Sequence, residues 1–108
     1  MTTPFTFTTK AKIRNVLRPG QTSDGRVVLR LGVSINDDDY VLNIVSRQGQ
    51  GIEELVNELV RLKLLVKEDD EWFVEIPTWS IAKAKNGVVW VHWEDYERLK
   101  GSRTMAST

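Results

Sequence analysis

Few residues in this chain have the types and spacing that enzyme chemistry requires. His92 is the only histidine among 108 residues, and Asp95 follows it three positions later. A histidine and a carboxylate can activate a serine hydroxyl, but no serine in this chain lies in a nucleophile motif. One histidine and no cysteine also provide too few ligands for a histidine- or cysteine-based metal centre. We therefore predict a non-catalytic protein with no cofactor and a structural role for His92.

Two acidic runs and one glycine pair could hold ions. The runs Asp37–Asp39 and Glu68–Glu71 lack the alternating acids, central glycine and distant glutamate of a calcium loop. The segment Gly49–Gly51 precedes a predicted helix, as phosphate-binding turns do, but Glu54 stands where the third glycine of that motif would be. We predict that the acidic runs are solvated turns that keep sheet edges from pairing. We also predict that the glycines form a flexible connector and that no metal is bound.

Aromatic residues are concentrated in the last third of the chain, and all four tryptophans lie between residues 72 and 93. Tryptophan is enriched at the hot spots of protein interfaces. The run Val-Val-Trp-Val-His-Trp is apolar on both faces of a strand, so one face is available to a partner. We expect roughly half of the aromatic residues to fill the core. The predicted protein interface comprises Trp79, Trp90, Trp93 and Tyr96.

A second candidate surface is basic, although the net charge of the chain is zero. Six cations and one carboxylate give residues 1–36 a net charge of +5, and four cations and eleven carboxylates give residues 37–75 a net charge of −7. The basic side chains could follow the phosphate backbone of single-stranded nucleic acid. They could equally form a solvated face that pairs with the acidic middle of the chain. This alternative nucleic-acid site comprises Lys10, Lys12, Arg14, Arg30 and Tyr40.

A sheet and one helix must position these side chains. Residues 52–66 show the apolar spacing of an amphipathic helix, with acids in the first turn and cations near the last. The end of this helix stays open, because residues 64–66 could already belong to a strand. In the first strand, Ala11, Ile13 and Leu17 are predicted on the inner face and the cations on the outer face. Alternating or continuous apolar runs predict strands at 5–17, 27–35, 40–46, 72–76 and 88–93.

The segment from residue 78 onward is harder to assign. Residues 78–86 fit either a continued strand or a short helix that Thr78 caps and Asn86-Gly87 ends. Residues 94–100 are predicted to form one or two helical turns. Residues 101–108 are small and polar, so we predict a flexible tail.

The element order strand, strand, strand, helix, strand, strand resembles that of the OB-fold, a five-stranded Greek-key barrel. This resemblance implies a curved or closed sheet with its ligand face on the first three strands. We therefore predict an α+β fold in one domain, residues 1–100. Its sheet is expected to be five-stranded, antiparallel and curved or OB-like, with the amphipathic helix packed against it.

Residues 52–76 carry a second resemblance. An amphipathic helix followed by Leu-Leu-Val-Lys, an acidic turn and Glu-Trp-Phe-Val-Glu-Ile is similar to the last helix and wing of a winged-helix domain. Predicted strands occupy the place of the upstream helices of that family.

The size and composition of the chain suit a small globular protein. Its mass is 12.4 kDa, which allows one domain with a real core. No apolar run approaches the roughly 20 residues that span a bilayer, and the N-terminus lacks the features of a secretory signal. We expect a cytoplasmic adaptor, assembly or inhibitor protein of the kind that phages and mobile elements carry. Its predicted partner is another protein or a second copy of itself, and no membrane.

Overall fold

The computed structural model describes residues 7–106, with side chains as far as Leu99, as a mixed seven-stranded sheet with three short helices. The α+β class predicted from the sequence is confirmed. Residues 1–6 and 107–108, which include the start of the first predicted strand and the end of the predicted tail, lie outside the described residues. The strands are β1 (Thr8–Val16), β2 (Gly20–Gln21), β3 (Val27–Ile35), β4 (Asp38–Val45), β5 (Leu65–Glu68), β6 (Glu71–Pro77) and β7 (Val88–His92). The helices are α1 (Ile52–Arg61), α2 (Thr78–Ala82) and α3 (Trp93–Ala106).

The strand order of the sheet is β5-β6-β1-β3-β4-β7, and β2 pairs with β3. All neighbours are antiparallel except β4 and β7, which are parallel. The chain leaves β4, forms α1 and the β5–β6 hairpin at the opposite edge, and returns to place β7 beside β4. A crossover of this length allows parallel pairing. The five-stranded antiparallel prediction is therefore wrong in strand number and in the direction of the last strand. Because β5 and β7 are edges, the described strands do not close into a barrel.

Side-chain alternation gives the sheet two unlike faces. The first, which we call the helix face, contributes to the main apolar core together with residues of all three helices. Its buried strand residues are Ala11, Leu29, Leu31, Val33, Ile35, Leu42, Ile44, Leu65, Val74, Ile76, Val89 and Val91. The second, which we call the open face, carries mostly charged, polar and aromatic side chains. Its residues include Lys10, Lys12, Arg30, Asn43, Phe73, Trp90 and His92, as the strand registers show.

Helix α1 ends five residues before residue 66 because the chain turns sharply after it, and residues 65 and 66 belong to β5, which is the alternative that the sequence left open. The Lys63 N–H donates to the Val60 carbonyl at 3.0 Å, and the Leu64 N–H donates to the Leu59 carbonyl at 2.9 Å. These two bonds are the Schellman pattern that closes many helices. Lys63 takes a left-handed φ of 64°, and the accompanying apolar pair, Leu59 and Leu64, is buried. The chain then enters β5 instead of continuing as a helix.

Replacing Lys63 with glycine is expected to stabilise the protein. A left-handed backbone costs a residue with a Cβ about 1 kcal/mol or more, whereas glycine adopts it freely. Because glycine also loses more conformational freedom on folding, we expect the free energy of unfolding, measured in urea, to rise by only about 0.5–1 kcal/mol. Lys67→Gly, inside β5, is the control and should lower stability because glycine weakens strands. An unchanged or reduced stability of Lys63→Gly would contradict this account of the helix end.

Each acidic run lies at a hairpin turn, as predicted, but the other residues of each run belong to the flanking strands. Asn36 and Asp37, with φ angles of 50° and 69°, connect β3 to β4. Asp69 and Asp70, with φ angles of 51° and 66°, connect β5 to β6. Two successive positive φ angles are typical of the two-residue hairpin turn whose twist matches that of the strands. Over the described residues, no three histidine, aspartate or glutamate side chains come together as metal ligands would.

Residues 78–82 form the helix that the sequence left open as one of two alternatives. Pro77, and not Thr78, is the residue that precedes the first turn of α2. Asn86 and Gly87, with φ angles of 54° and 74°, shape the turn into β7 and do not end α2. Helix α3 is longer than the one or two turns predicted, and it extends into the predicted tail. None of the helices described is both long and apolar enough to cross a membrane.

Candidate functional site

The predicted protein interface is divided between the core and the surface. Trp93 and Tyr96 are each 1% exposed, and their rings meet edge to face with centroids 5.8 Å apart. The Tyr96 hydroxyl donates to the Glu75 carbonyl at 3.0 Å, and burial raises the pKa of Tyr96 well above its ordinary value. Trp93 and Tyr96 are therefore core residues, which corrects their assignment to the interface. Trp90 is 51% exposed on the open face.

Asp95 contacts the fourth residue of that prediction, Trp79, and forms no catalytic triad. Its Oδ1 accepts the Trp79 Nε1–H at 3.0 Å, and its Oδ2 accepts the His92 backbone N–H at 3.0 Å. The Arg98 guanidinium lies 5.4 Å from the centre of the Trp79 ring. Trp79 is thus held in a contact that joins α2, β7 and α3. The carboxylate that could have oriented the His92 imidazole binds the main chain of that residue instead.

The two lysines of the predicted basic face, Lys10 and Lys12, both form ion pairs with carboxylates. The Lys10 Nζ lies 2.7 Å from the Glu68 carboxylate, and the Lys12 Nζ lies 2.7 Å from the Glu71 carboxylate. Both pairs connect β1 to the β5–β6 hairpin across the open face. Phosphate binding needs cations whose charge is available to the ligand. These two lysines therefore pair with carboxylates of the sheet at the place where a nucleic acid was predicted to bind.

Arg30 shares the open face with the two lysines, but the remaining two residues of the nucleic-acid prediction do not. The Arg30 Nε donates to the Asn43 Oδ1 at 3.1 Å, and Asn43 lies beside Trp90 in the register of the sheet. Tyr40 is partly buried against the core. Arg14 leaves the row of Lys10 and Lys12 because the strand is irregular at that position. The five predicted residues therefore form no continuous basic surface.

A β-bulge in β1 opens the helix face to solvent. β1 pairs with β6 only as far as Lys12, which lies opposite Phe73. Arg14 is an extra residue between Ile13 and Asn15 in the pairing with β3. A bulge bends its strand and increases the local twist, so β1 and β6 diverge beyond this point. We call the resulting gap the β1–β6 cleft.

The β1–β6 cleft has an apolar floor, a mixed rim and a volume of about 390 Å³. The floor consists of the buried and half-buried residues Ile13, Leu29, Leu31, Val56 and Leu65. The rim consists of the exposed residues Arg14, Asn15, Val16, Asp70, Glu71 and Trp72. Val16 is 70% exposed and Trp72 is 40% exposed. Apolar side chains that remain in water around an apolar floor are typical of a binding surface.

The charges of the β1–β6 cleft lie at its mouth. Its titratable side chains are those of Arg14, Asp70 and Glu71, and Glu71 already pairs with Lys12. The Asp70 side chain is 99% exposed and lies 3.9 Å from the Lys67 ammonium group. No base and nucleophile converge in this lining. The arrangement favours the binding of an apolar group beside an exposed carboxylate.

Sequence reasoning missed the cleft because it assumed unbroken alternation along β1. It placed Leu17 on the face of Ala11 and Ile13, whereas the bulge brings Val16 to that face, opposite Leu31. The signal was present in the sequence as the spacing of the apolar residues. A step of two followed by a step of three is what a one-residue bulge produces.

A polar groove of about 540 Å³ lies beside the start of α1 and contains the side chain of Glu58. The Glu58 carboxylate accepts hydrogen bonds from Arg47, from Gln50 at 3.1 Å and from Arg61 at 2.8 Å. Burial acts to raise the pKa of Glu58, but these donors and their charges hold the pKa below its ordinary value. The Arg47 guanidinium also lies 4.8 Å from the centre of the Trp93 ring. This network therefore fastens α1 to the core.

Glu58→Gln is expected to lower stability at neutral pH but not in acid. A folded-state pKa below the unfolded value means that the carboxylate contributes stability above about pH 4.5, and that this contribution is lost as the pH falls through the folded pKa. Because the side chain is only 16% exposed, we expect a loss of about 1 kcal/mol at neutral pH. In urea unfolding across the acid range, the free energies of unfolding of the two proteins should converge once the pH falls below the folded-state pKa of Glu58. The exposed Glu53→Gln is the control, and a constant difference at every pH would contradict the prediction.

No family model, curated protein or solved structure matches this chain. The helix and hairpin formed by α1, β5 and β6 have the order expected from the winged-helix resemblance, while the open seven-stranded sheet departs from the OB barrel. Three large apolar side chains of the described strands are exposed. Val16 and Trp72 lie at the β1–β6 cleft, and Trp90 lies on the open face.

Proposed function

We propose that this protein is a non-catalytic binding module that recognises a protein partner through the β1–β6 cleft. The observation that supports this most strongly is the apolar floor that reaches solvent between two strands, with Val16 and Trp72 exposed at its rim. Protein interfaces combine an apolar, aromatic centre with a polar rim. Covering these side chains would be favourable by about 25 cal/mol for each Å² of apolar surface removed from water.

The proposed interface differs from the one expected from the tryptophan-rich end of the chain. Trp93 and Tyr96 are buried, and Trp79 is engaged by Asp95. Trp90 is a single exposed aromatic residue on a mainly polar face, and isolated apolar residues on surfaces are common. The cleft, in contrast, combines exposed residues with a concave floor. It is therefore the better candidate for a specific partner.

The two other classes of function have less support. Binding of single-stranded nucleic acid would require Lys10 and Lys12 to give up ion pairs at 2.7 Å. Catalysis would require an acid, a base or a nucleophile that lie close together. The Asp95 carboxylate binds the Trp79 indole and the His92 main chain, and neither bond involves the His92 imidazole. The cytoplasmic location and the adaptor, assembly or inhibitor role stay predictions from the sequence.

The test is selection of peptides from a random dodecapeptide library on the immobilised protein. We expect selected peptides to bind the wild-type protein and to lose affinity about tenfold or more in Val16→Glu. The matched control is Trp90→Glu, which introduces the same charge at an exposed apolar residue on the other face and should change affinity less than about twofold. Thermal unfolding of both variants, whose substituted residues are largely exposed, confirms that they are folded.

Three results would overturn the proposal. One is a selection that yields no binding peptide. Another is a set of peptides that bind Val16→Glu normally but fail on Trp90→Glu, since the interface would then lie on the open face. The third is tight binding of a labelled oligonucleotide that weakens with salt and disappears in Lys12→Glu, because the lysines would then be ligands of phosphate.

A further inference from the structure

The wall of the β1–β6 cleft is a strand edge, and this limits what the cleft can hold. Resting on the function proposed above, we infer that its occupant is an extended segment that adds to β1 as a new strand. One apolar side chain of this segment rests on the cleft floor, and a cationic side chain lies beside Asp70. The inference depends on the backbone of Val16, on the other edges of the sheet and on the charges at the mouth of the cleft.

The backbone of Val16 is directed into the cleft. The Leu17 N–H donates to the Arg30 carbonyl at 2.9 Å, so Leu17 and Arg30 form a hydrogen-bonded pair of the β1–β3 ladder. Bonded and non-bonded pairs alternate in an antiparallel ladder. Val16, opposite Leu31, therefore points its N–H and C=O away from β3. No described strand pairs with β1 on that side beyond Lys12.

The two outer edges of the sheet are less suited to receive a strand. Val88 in β7 exchanges hydrogen bonds of 3.0 and 3.3 Å with Lys85, and the His92 N–H at the other end of β7 is bound by Asp95. β5 ends in a lysine and a glutamate, and charged side chains, lysine above all, keep an edge from pairing. The edge at Val16 instead presents an exposed valine above an apolar floor.

An extended segment could use both the apolar floor and the unpaired backbone of β1. Its alternate side chains would point to opposite faces, so those on the helix face would meet Leu29, Leu31 and Leu65 on the floor. Its main chain would supply the hydrogen bonds that the Val16 peptide groups need, which is how peptides bind by strand addition. Val16 and Trp72 would be covered from the solvent side.

The charges at the mouth favour an occupant that carries a cation. Glu71 is neutralised by Lys12 at 2.7 Å, whereas the fully exposed Asp70 lies 3.9 Å from its nearest cation. Arg14 lies on the opposite wall of the cleft. A cation of the segment is therefore attracted to the hairpin wall and repelled from the β1 wall. This asymmetry places the cation of the segment on the hairpin side of the cleft.

The first test measures the Val16 amide directly, using nitrogen-15-labelled protein and the tightest peptide from the selection. Saturation with the peptide is expected to slow hydrogen exchange at the Val16 N–H about tenfold or more, because that group gains a hydrogen-bond partner. The Trp90 N–H on the far edge should exchange at the same rate as before. An unchanged rate at Val16 would overturn the inference.

The second test uses two N-methylated versions of the same peptide. Each has methyl groups on alternate backbone nitrogens, so that only one of the two sets blocks the N–H groups that face β1. We expect one version to lose affinity about tenfold or more and the other to lose much less. Equal affinity of the two versions would overturn strand addition.

The third test concerns the charge. Asp70→Lys is expected to weaken binding of a cationic selected peptide about threefold or more. Asp37→Lys is the matched control, since Asp37 holds the same second turn position in the β3–β4 hairpin, and it should have no effect. Equal weakening by both variants would overturn the assignment of the cation to Asp70.

These outcomes separate the inference from the proposed function. If peptides lose binding in Val16→Glu but the Val16 amide stays unprotected, strand addition is wrong and the cleft remains the interface. If no peptide depends on Val16, the proposed function itself is wrong. A dimer in sedimentation that Val16→Glu dissociates would also overturn the inference, because the cleft would then be occupied by a second copy of this chain.

Discussion

Trp93→Ala is expected to destabilise the protein by about 3–5 kcal/mol, the range for removing a large buried aromatic side chain. Trp93 is 1% exposed, packs against Tyr96 and lies beneath the Arg47 guanidinium at 4.8 Å. Its removal would leave a cavity where α3 meets the sheet and would remove the contact that links α3 to the network around Glu58. Urea unfolding monitored by circular dichroism measures the loss.

Trp90→Ala is the matched control for this prediction. Trp90 belongs to the adjoining strand β7 but is 51% exposed on the open face. We expect its replacement to cost less than about 1 kcal/mol. A loss of several kcal/mol for Trp90→Ala, together with little change for Trp93→Ala, would mean that the two faces of β7 have been assigned the wrong way round.

The contrast between these tryptophans shows which features of a strand its sequence can predict. Alternation correctly places Val88, Trp90 and His92 on one face and Val89 and Val91 on the other. It does not say which face is covered, because both faces of this run contain apolar residues. Coverage is decided by α3, which begins immediately after the strand, and by the rest of the core.

Elements with a regular period were the predictable part of the fold. The apolar spacing around Leu55 and Leu59 predicted α1, and both residues are buried. The acidic runs predicted two turns, because asparagine and aspartate tolerate the positive φ angles that short hairpins require. In these cases the local preference and the tertiary structure agree.

The unpredicted features each depend on a single irregular residue or on distant pairing. Lys63 ends α1 in a conformation that lysine rarely adopts, so nothing in its residue type signals the end. Arg14 adds one residue to β1 and moves every later side chain to the opposite face. The direction of β7 is set by where the chain returns to the sheet, and alternation is the same for parallel and antiparallel strands.

Asp95 illustrates the same limit at the interface that the sequence predicted. The sequence suggested it only as a partner for the His92 imidazole. Its carboxylate instead accepts the Trp79 Nε1–H and the His92 backbone N–H, each at 3.0 Å. It lies in the first turn of α3, two positions after Trp93, where a carboxylate interacts favourably with the helix dipole. Asp95 therefore connects α2 and the edge of β7 to the start of α3.

Asp95→Ala is expected to lower the free energy of unfolding by about 2–3 kcal/mol, since hydrogen bonds to a charged group contribute more than neutral ones. The change leaves the Trp79 indole N–H and the His92 amide without their acceptor and removes the favourable charge at the start of α3. Asp95→Asn should cost less, because the amide oxygen still accepts one of the two bonds. Urea unfolding of the three proteins measures the order.

The control for Asp95 is its neighbour Glu94, in the same turn of α3. Glu94 pairs with Arg26 at 3.2 Å, but its side chain is 59% exposed, so Glu94→Ala should change stability by less than about 0.5 kcal/mol. Equal losses at the two positions would mean that the charge near the helix start matters and the two hydrogen bonds do not. Faster hydrogen exchange at the His92 amide in Asp95→Ala alone would show that the carboxylate also closes the outer edge of β7. That closure is what leaves the edge at Val16 as the favoured place for strand addition.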